Sequence, residues 1–115
     1  MREKLRDKGR LLHIIEAVEN IFEFTENLNF EEFEKNKMLK FAVIKSLEII
    51  GEASNLITKQ LKEKHPEIDR QAIIGLRHVL VHGYYQISNR IIWNTIQNDL
   101  KPFENKIKKI LNEIN

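Results

Sequence analysis

Apolar residues recur three and four positions apart along nearly the whole chain, and no alternating run lasts. That is the period of helices with one buried face, so the pattern predicts an all-α protein. A first helix is expected from about Lys4 to Asn27. Leu11, Ile14, Val18 and Ile21 form its main stripe, and Leu5, Leu12, Ile15 and Phe22 form a second stripe beside it. Two stripes make a wider apolar face than one neighbouring helix covers. Asn29 reads as the cap of the next helix, with Glu32 three residues on as its capping-box partner.

The second helix is expected to be the longest, from Phe30 to Lys64, with an irregularity near Lys35–Lys37. Leu39, Val43, Ser46, Leu47, Ile50, Ser54, Ile57 and Leu61 make its stripe, and Phe41, Ile44, Ile49 and Leu56 widen it. Pro66 removes a backbone donor and biases His65 away from helical geometry, which ends the helix. Asp69 can cap a third helix, about Arg70 to Gly83, and Ser88 a last one, about Asn89 to Glu113. Pro102 should kink that last helix or split off its final turns. Short links favour antiparallel neighbours. The expected fold is an up-and-down four-helix bundle with a short or kinked C-terminal helix.

Composition narrows this picture without changing it. The 115 residues suit one domain over 1–115, and 42% hydrophobic with 31% charged residues allow a core and a wetted surface. The helical reading agrees with only four Gly and two Pro. The absence of cysteine excludes disulfides and thiolate-bound zinc and fits a reducing compartment. No run approaches the roughly 18 apolar residues of a membrane span. The charged start, MREKLRDKGR, has no apolar signal core behind it, so a cytoplasmic protein is expected. The formal charge of +2 permits contact with nucleic acid but does not argue for it.

The stretch RHVLVHGYY, residues 77–85, breaks the ordinary pattern. On a helical wheel Leu76, Val79, Leu80 and Gly83 share the core side. Arg77, Val81 and Tyr84 group together, with His78, His82 and Tyr85 beside them. Histidine titrates near neutrality, arginine offers a fork of donors that suits phosphate, and tyrosine can stack on a base. Together they suit the binding or cutting of a phosphodiester. The same residues also fit a plain structural role, as a histidine pair favoured at a helix end with boundary aromatics. A metal site is a third reading, since His78 and His82 stand four apart, but no third ligand is evident nearer than His13 or His65. Glu48 and Glu52 share a helix face, with Gly51 between them allowing close helix approach. They read either as a brace for Arg77 or as a solvent-facing acidic pair. Trp93 and Tyr85 are candidate core or interface aromatics.

RHVLVHGY matches the R-x4-H-x-Y form of the motif found in HEPN-domain proteins. The segments AVIKSLEIIGEASNLI, HPEID, AIIGLRHVLVHGYY and IIWNTIQNDL follow in the order expected of one branch. Over nearly its whole length the chain resembles the HepT toxins. The resemblance implies a HEPN-like helical fold and a homodimer in which two motifs face one cleft. It implies an endoribonuclease that needs no metal or other cofactor, the toxin of a type VII-like toxin–antitoxin pair. It also implies a nucleotidyltransferase antitoxin that silences the toxin by transferring AMP onto the motif tyrosine, here Tyr84. Arg77 and His82 would then be the catalytic pair, acting on an RNA whose own 2′-hydroxyl is the nucleophile. His78 and Tyr84 would support them. The rival expectation is a non-catalytic HEPN module that binds RNA, nucleotide or the transferase without cutting.

Overall fold

The computed structural model of the chain describes residues 2–66, 73–83 and 86–114. Helix α1, Arg2–Thr25, buries the main stripe Leu11, Ile14, Val18 and Ile21. Of its second stripe only Ile15 is buried, while Leu5 and Leu12 stay exposed. Asn27 ends the run with a φ of 60°, a left-handed conformation that asparagine tolerates. Helix α2, Phe30–Lys35, opens with the expected capping box: Glu32 N–H donates to Asn29 Oδ1, and Asn29 N–H donates to Glu32 Oε1.

The long second helix is three helices. Asn36 closes α2 and caps α3, Lys37–Leu56, by accepting from Leu39 N–H, which is the irregularity expected near Lys35–Lys37. A second break, at Ile57–Thr58, separates α3 from α4, Lys59–Lys64. Periodicity runs straight through that break, because Ile57 and Leu61 are buried on both sides of it. What ends α3 comes from α1. Asp7 accepts the Thr58 backbone N–H at 2.9 Å and its hydroxyl at 2.6 Å. Arg10 donates to the Leu56 carbonyl at 2.6 Å. These groups are 51 and 46 residues apart in sequence, beyond the reach of any local pattern.

Helix α5 spans Ile74–His82. Gly83 closes it at φ 62°, where a residue with a side chain would be strained. The proposed Asp69 cap lies outside the described residues. Ser88 caps α6, Asn89–Asn94, accepting from Ile91 N–H. The chain then widens into a π turn, Thr95–Asp99, before α7, Leu100–Ile114. The interruption expected at Pro102 therefore falls one turn earlier. Proline cannot donate to the carbonyl four residues back, that of Asn98, and its ring crowds it. The π turn contains Asn98, and Leu100 N–H reaches back to the Thr95 carbonyl.

The result is an all-α bundle. Helix α1 packs along α3 and α7, and α5 lies against α3, α6 and the π turn. Phe33 of α2 meets Trp93 of α6 at 5.4 Å, and Phe30 meets the same ring edge-on at 6.4 Å. Trp93 is thus a core residue. Among the described residues no helix is long and apolar enough to cross a membrane.

Candidate functional site

Two close approaches fix helix α5. On one side, a methyl at Gly51 of α3 would stand 3.4 Å from the ends of both Leu76 and Leu80. On the other, Gly75 lies so near the π turn that a methyl there would collide with the Thr95 side chain. Leu76 and Val79 are buried by this clamp, together with Gly75. Leu80, placed on the core side by the wheel, reaches Gly51 with its tip but stays half exposed. Val81 is exposed outright.

The opposite face of α5 carries the chemistry. Ile74, Arg77, His78, Val81 and His82 line one open pocket of about 290 Å³. These positions follow the i, i+3, i+4, i+7, i+8 spacing of a single helix face. Arg77 and His82 are exposed. No acidic side chain among the described residues lines the pocket, and none forms an ion pair with Arg77. With a guanidinium and two imidazoles, the described lining suits an anion. The proposed glutamate brace is not present: Glu48 pairs with Lys45 on its own helix at 3.9 Å, and Glu52 lines a separate groove with Arg6, Arg10 and His13.

The two histidines of the face differ in their surroundings. Their ring centroids lie 4.5 Å apart at 50°. His78 is half-buried, and its Nε2 accepts the backbone N–H of Ser88 at 2.8 Å. An amide N–H only donates, so Nε2 is an acceptor and the ring carries its proton on Nδ1. Sequence reasoning grouped His78 with His82 but missed this bond, because its partner lies ten residues away in the sequence, at the start of the next helix. Ile74 was missed as well, although it stands one turn before Arg77 and His78 on their own face. Tyr84 and Tyr85 lie outside the described residues.

A metal reading finds no support among the described residues, where no group of three histidine or acidic side chains is placed to share an ion. His65 instead approaches Glu113 at 3.3 Å, and His13 lines grooves beside α3.

A family model described as Ribonuclease HepT-like matches residues 14–110. "Probable ribonuclease HepT" of Thermococcus cleftensis is 40% identical over 107 residues, spanning 93% of this chain and 97% of its own. "Putative RNase MJ1380" of Methanocaldococcus jannaschii is 36% identical over 101 residues, spanning 88% of this chain and 93% of its own. No solved structure matches the chain significantly. With a match that runs through every helix from the middle of α1 to the last turns of α7, and that takes in Arg77, His78 and His82, the chain belongs to the HepT-like ribonuclease family.

Proposed function

We propose that this protein is a cytoplasmic endoribonuclease that works as a homodimer without a metal ion. The observation that carries this reading is the pocket on α5, where Arg77 and His82 stand on one exposed face. A single copy supplies one exposed histidine and one guanidinium around a shallow opening. Two copies facing each other supply a base, an acid and two cations from one repeated motif.

The reaction needs no more than that. His82 takes the proton from the RNA 2′-hydroxyl, and the 2′-oxygen attacks the adjacent phosphorus. Arg77 holds the non-bridging oxygens as charge gathers on them, the role that is usually the largest single contribution to catalysis. His82 of the partner subunit gives a proton to the 5′-oxygen as the P–O5′ bond breaks. The products are a 2′,3′-cyclic phosphate and a free 5′-hydroxyl. In the cell the activity serves as the toxin of a toxin–antitoxin pair. A nucleotidyltransferase antitoxin silences it by moving AMP from ATP onto Tyr84, with pyrophosphate leaving. The added nucleotide brings a negative charge and bulk that would compete with RNA for Arg77.

The test is cleavage of RNA by pure protein in excess EDTA. Cleavage is expected to survive chelation and to fall by about 10²–10⁴-fold in His82→Ala, the usual contribution of a positioned proton carrier. Partner binding without cleavage of any RNA would instead mark a non-catalytic module. Mass spectrometry after incubation with the transferase and ATP should find one AMP on Tyr84, and an adduct on any other residue would refute the switch.

A further inference from the structure

We infer that His78 is a positioning residue that acts through His82, neither carrying a proton in the reaction nor touching RNA. The inference rests on the ribonuclease reading above. It comes from the two contacts that His78 makes at once. Its Nε2 accepts the Ser88 N–H at 2.8 Å, and its ring lies 4.5 Å from the His82 ring. Ser88 is the residue that caps α6, through its hydroxyl to Ile91 N–H and its carbonyl to Ile92 N–H. One imidazole therefore joins the C-terminal half of α5 to the first turn of α6 and forms a wall against the exposed histidine.

This arrangement leaves His78 little freedom to do anything else. Nε2, the outer nitrogen, is occupied as an acceptor and is unavailable to give or take a proton while the bond holds. His82 has no such hold: no hydrogen bond fixes its ring among the described residues, and it sits in the last turn of α5 beside Gly83. An exposed side chain at a helix end samples several rotamers unless a neighbour restricts them. The His78 ring is that neighbour. Proton transfer is sensitive to placement, so a neighbour that fixes the acceptor affects turnover more than binding.

The decisive substitutions are His78→Gln and His78→Leu in the full chain. Glutamine puts an acceptor oxygen where Nε2 stands and carries no titratable proton. Leucine keeps bulk but leaves the Ser88 N–H without a partner. With a short fluorescein-labelled single-stranded RNA as probe, His78→Leu should lower kcat by about ten- to a hundredfold with KM unchanged. His78→Gln should recover most of that loss. If His78→Gln is as inactive as His82→Ala, His78 is a proton carrier and the inference fails. If KM rises while kcat holds, His78 contacts RNA and the inference fails equally.

Nuclear magnetic resonance reads the same bond without turnover. The His78 side chain should show an unprotonated Nε2, and the Ser88 amide should shift in His78→Leu and return in His78→Gln. Should the wild-type protein cut no RNA, the functional proposal falls and these spectra decide alone. A protonated Nε2, or a Ser88 amide indifferent to His78→Leu, overturns the positioning role. The opposite pair of results upholds it as the link between α5 and α6.

Discussion

Gly75 shows how narrowly a single residue sets the geometry of the site. It lacks a side chain at the point where α5 meets the π turn, and a methyl there would run into the Cβ and hydroxyl of Thr95. Thr95 cannot swing away freely, because its hydroxyl donates to the Ile91 carbonyl at 2.9 Å and the residue is buried. Gly75→Ala should therefore destabilise the fold by about 1–3 kcal/mol, the usual cost of overpacking, despite alanine's better helix propensity. The urea midpoint measures this, and an unchanged or raised midpoint would show that the clamp gives way. A methyl at Gly51 would meet only flexible leucine ends at 3.4 Å, so Gly51→Ala should cost less. Which glycine is the critical one was not legible in the sequence. Both sit in apolar helical stretches, and only the crossing of α5 over the π turn separates them. The chemistry of α5 was more legible. Arg77, His78 and His82 sit within six residues, so a helical wheel alone places them on one face, and the pocket they share follows from that.

At the scale of elements, the ends encoded by near neighbours were readable and those fixed from a distance were not. Asn29 with Glu32, and Ser88 with Ile91, are hydrogen bonds over three residues, and both form as the pattern predicts. The α3–α4 break is another matter. Thr58 caps α4 locally by accepting from Leu61 N–H at 3.3 Å, but the bonds that stop α3 come from Asp7 and Arg10 of α1. Asp7 is itself buried, an acidic residue that composition alone would place in water. Its replacement by alanine leaves the Thr58 N–H and hydroxyl without their acceptor in a part-buried site. Such an orphaned donor costs about 1–3 kcal/mol. Asp7→Ala should lower the urea midpoint accordingly, and hydrogen exchange should quicken around Leu56–Leu61 before it does so in α7. Asp7→Asn keeps one acceptor oxygen and should recover part of the loss. If the two variants are equally stable, the Asp7–Thr58 bonds do not govern the junction.

At the scale of the molecule, the apolar surface exceeds what one bundle covers. The wide face predicted for α1 is only partly buried, and Phe41, Ile49 and Leu56 of α3 stay exposed. The exposed apolar residues that bear on function are Ile74, 65% exposed, and Val81, 67% exposed, because they flank Arg77 and His82 in the same pocket. Two β-branched side chains flanking the Arg77 guanidinium gain nothing from contact with solvent. In the proposed homodimer they would gain, since a two-fold contact would bury each patch against its equivalent and bring the polar groups between them together. In that proposed contact, Val81→Asp would add a charge to each facing copy. Because Val81 is outside the core, the substitution should leave the helical circular dichroism near wild type, and any fall in the urea midpoint should match what the lost dimer contributes. Two like charges facing each other across a buried contact should nevertheless disfavour the dimer by about tenfold or more. Sedimentation should then show a monomer at concentrations where the wild type is dimeric. RNA cleavage should fall in step with the monomer fraction, although Arg77, His78 and His82 are all still present. A Val81→Asp protein that remains dimeric, or a monomer that cuts as well as the wild type, would mean that the pocket on α5 works without its two-fold mate. The proton donor for the 5′-oxygen would then have to come from the same chain.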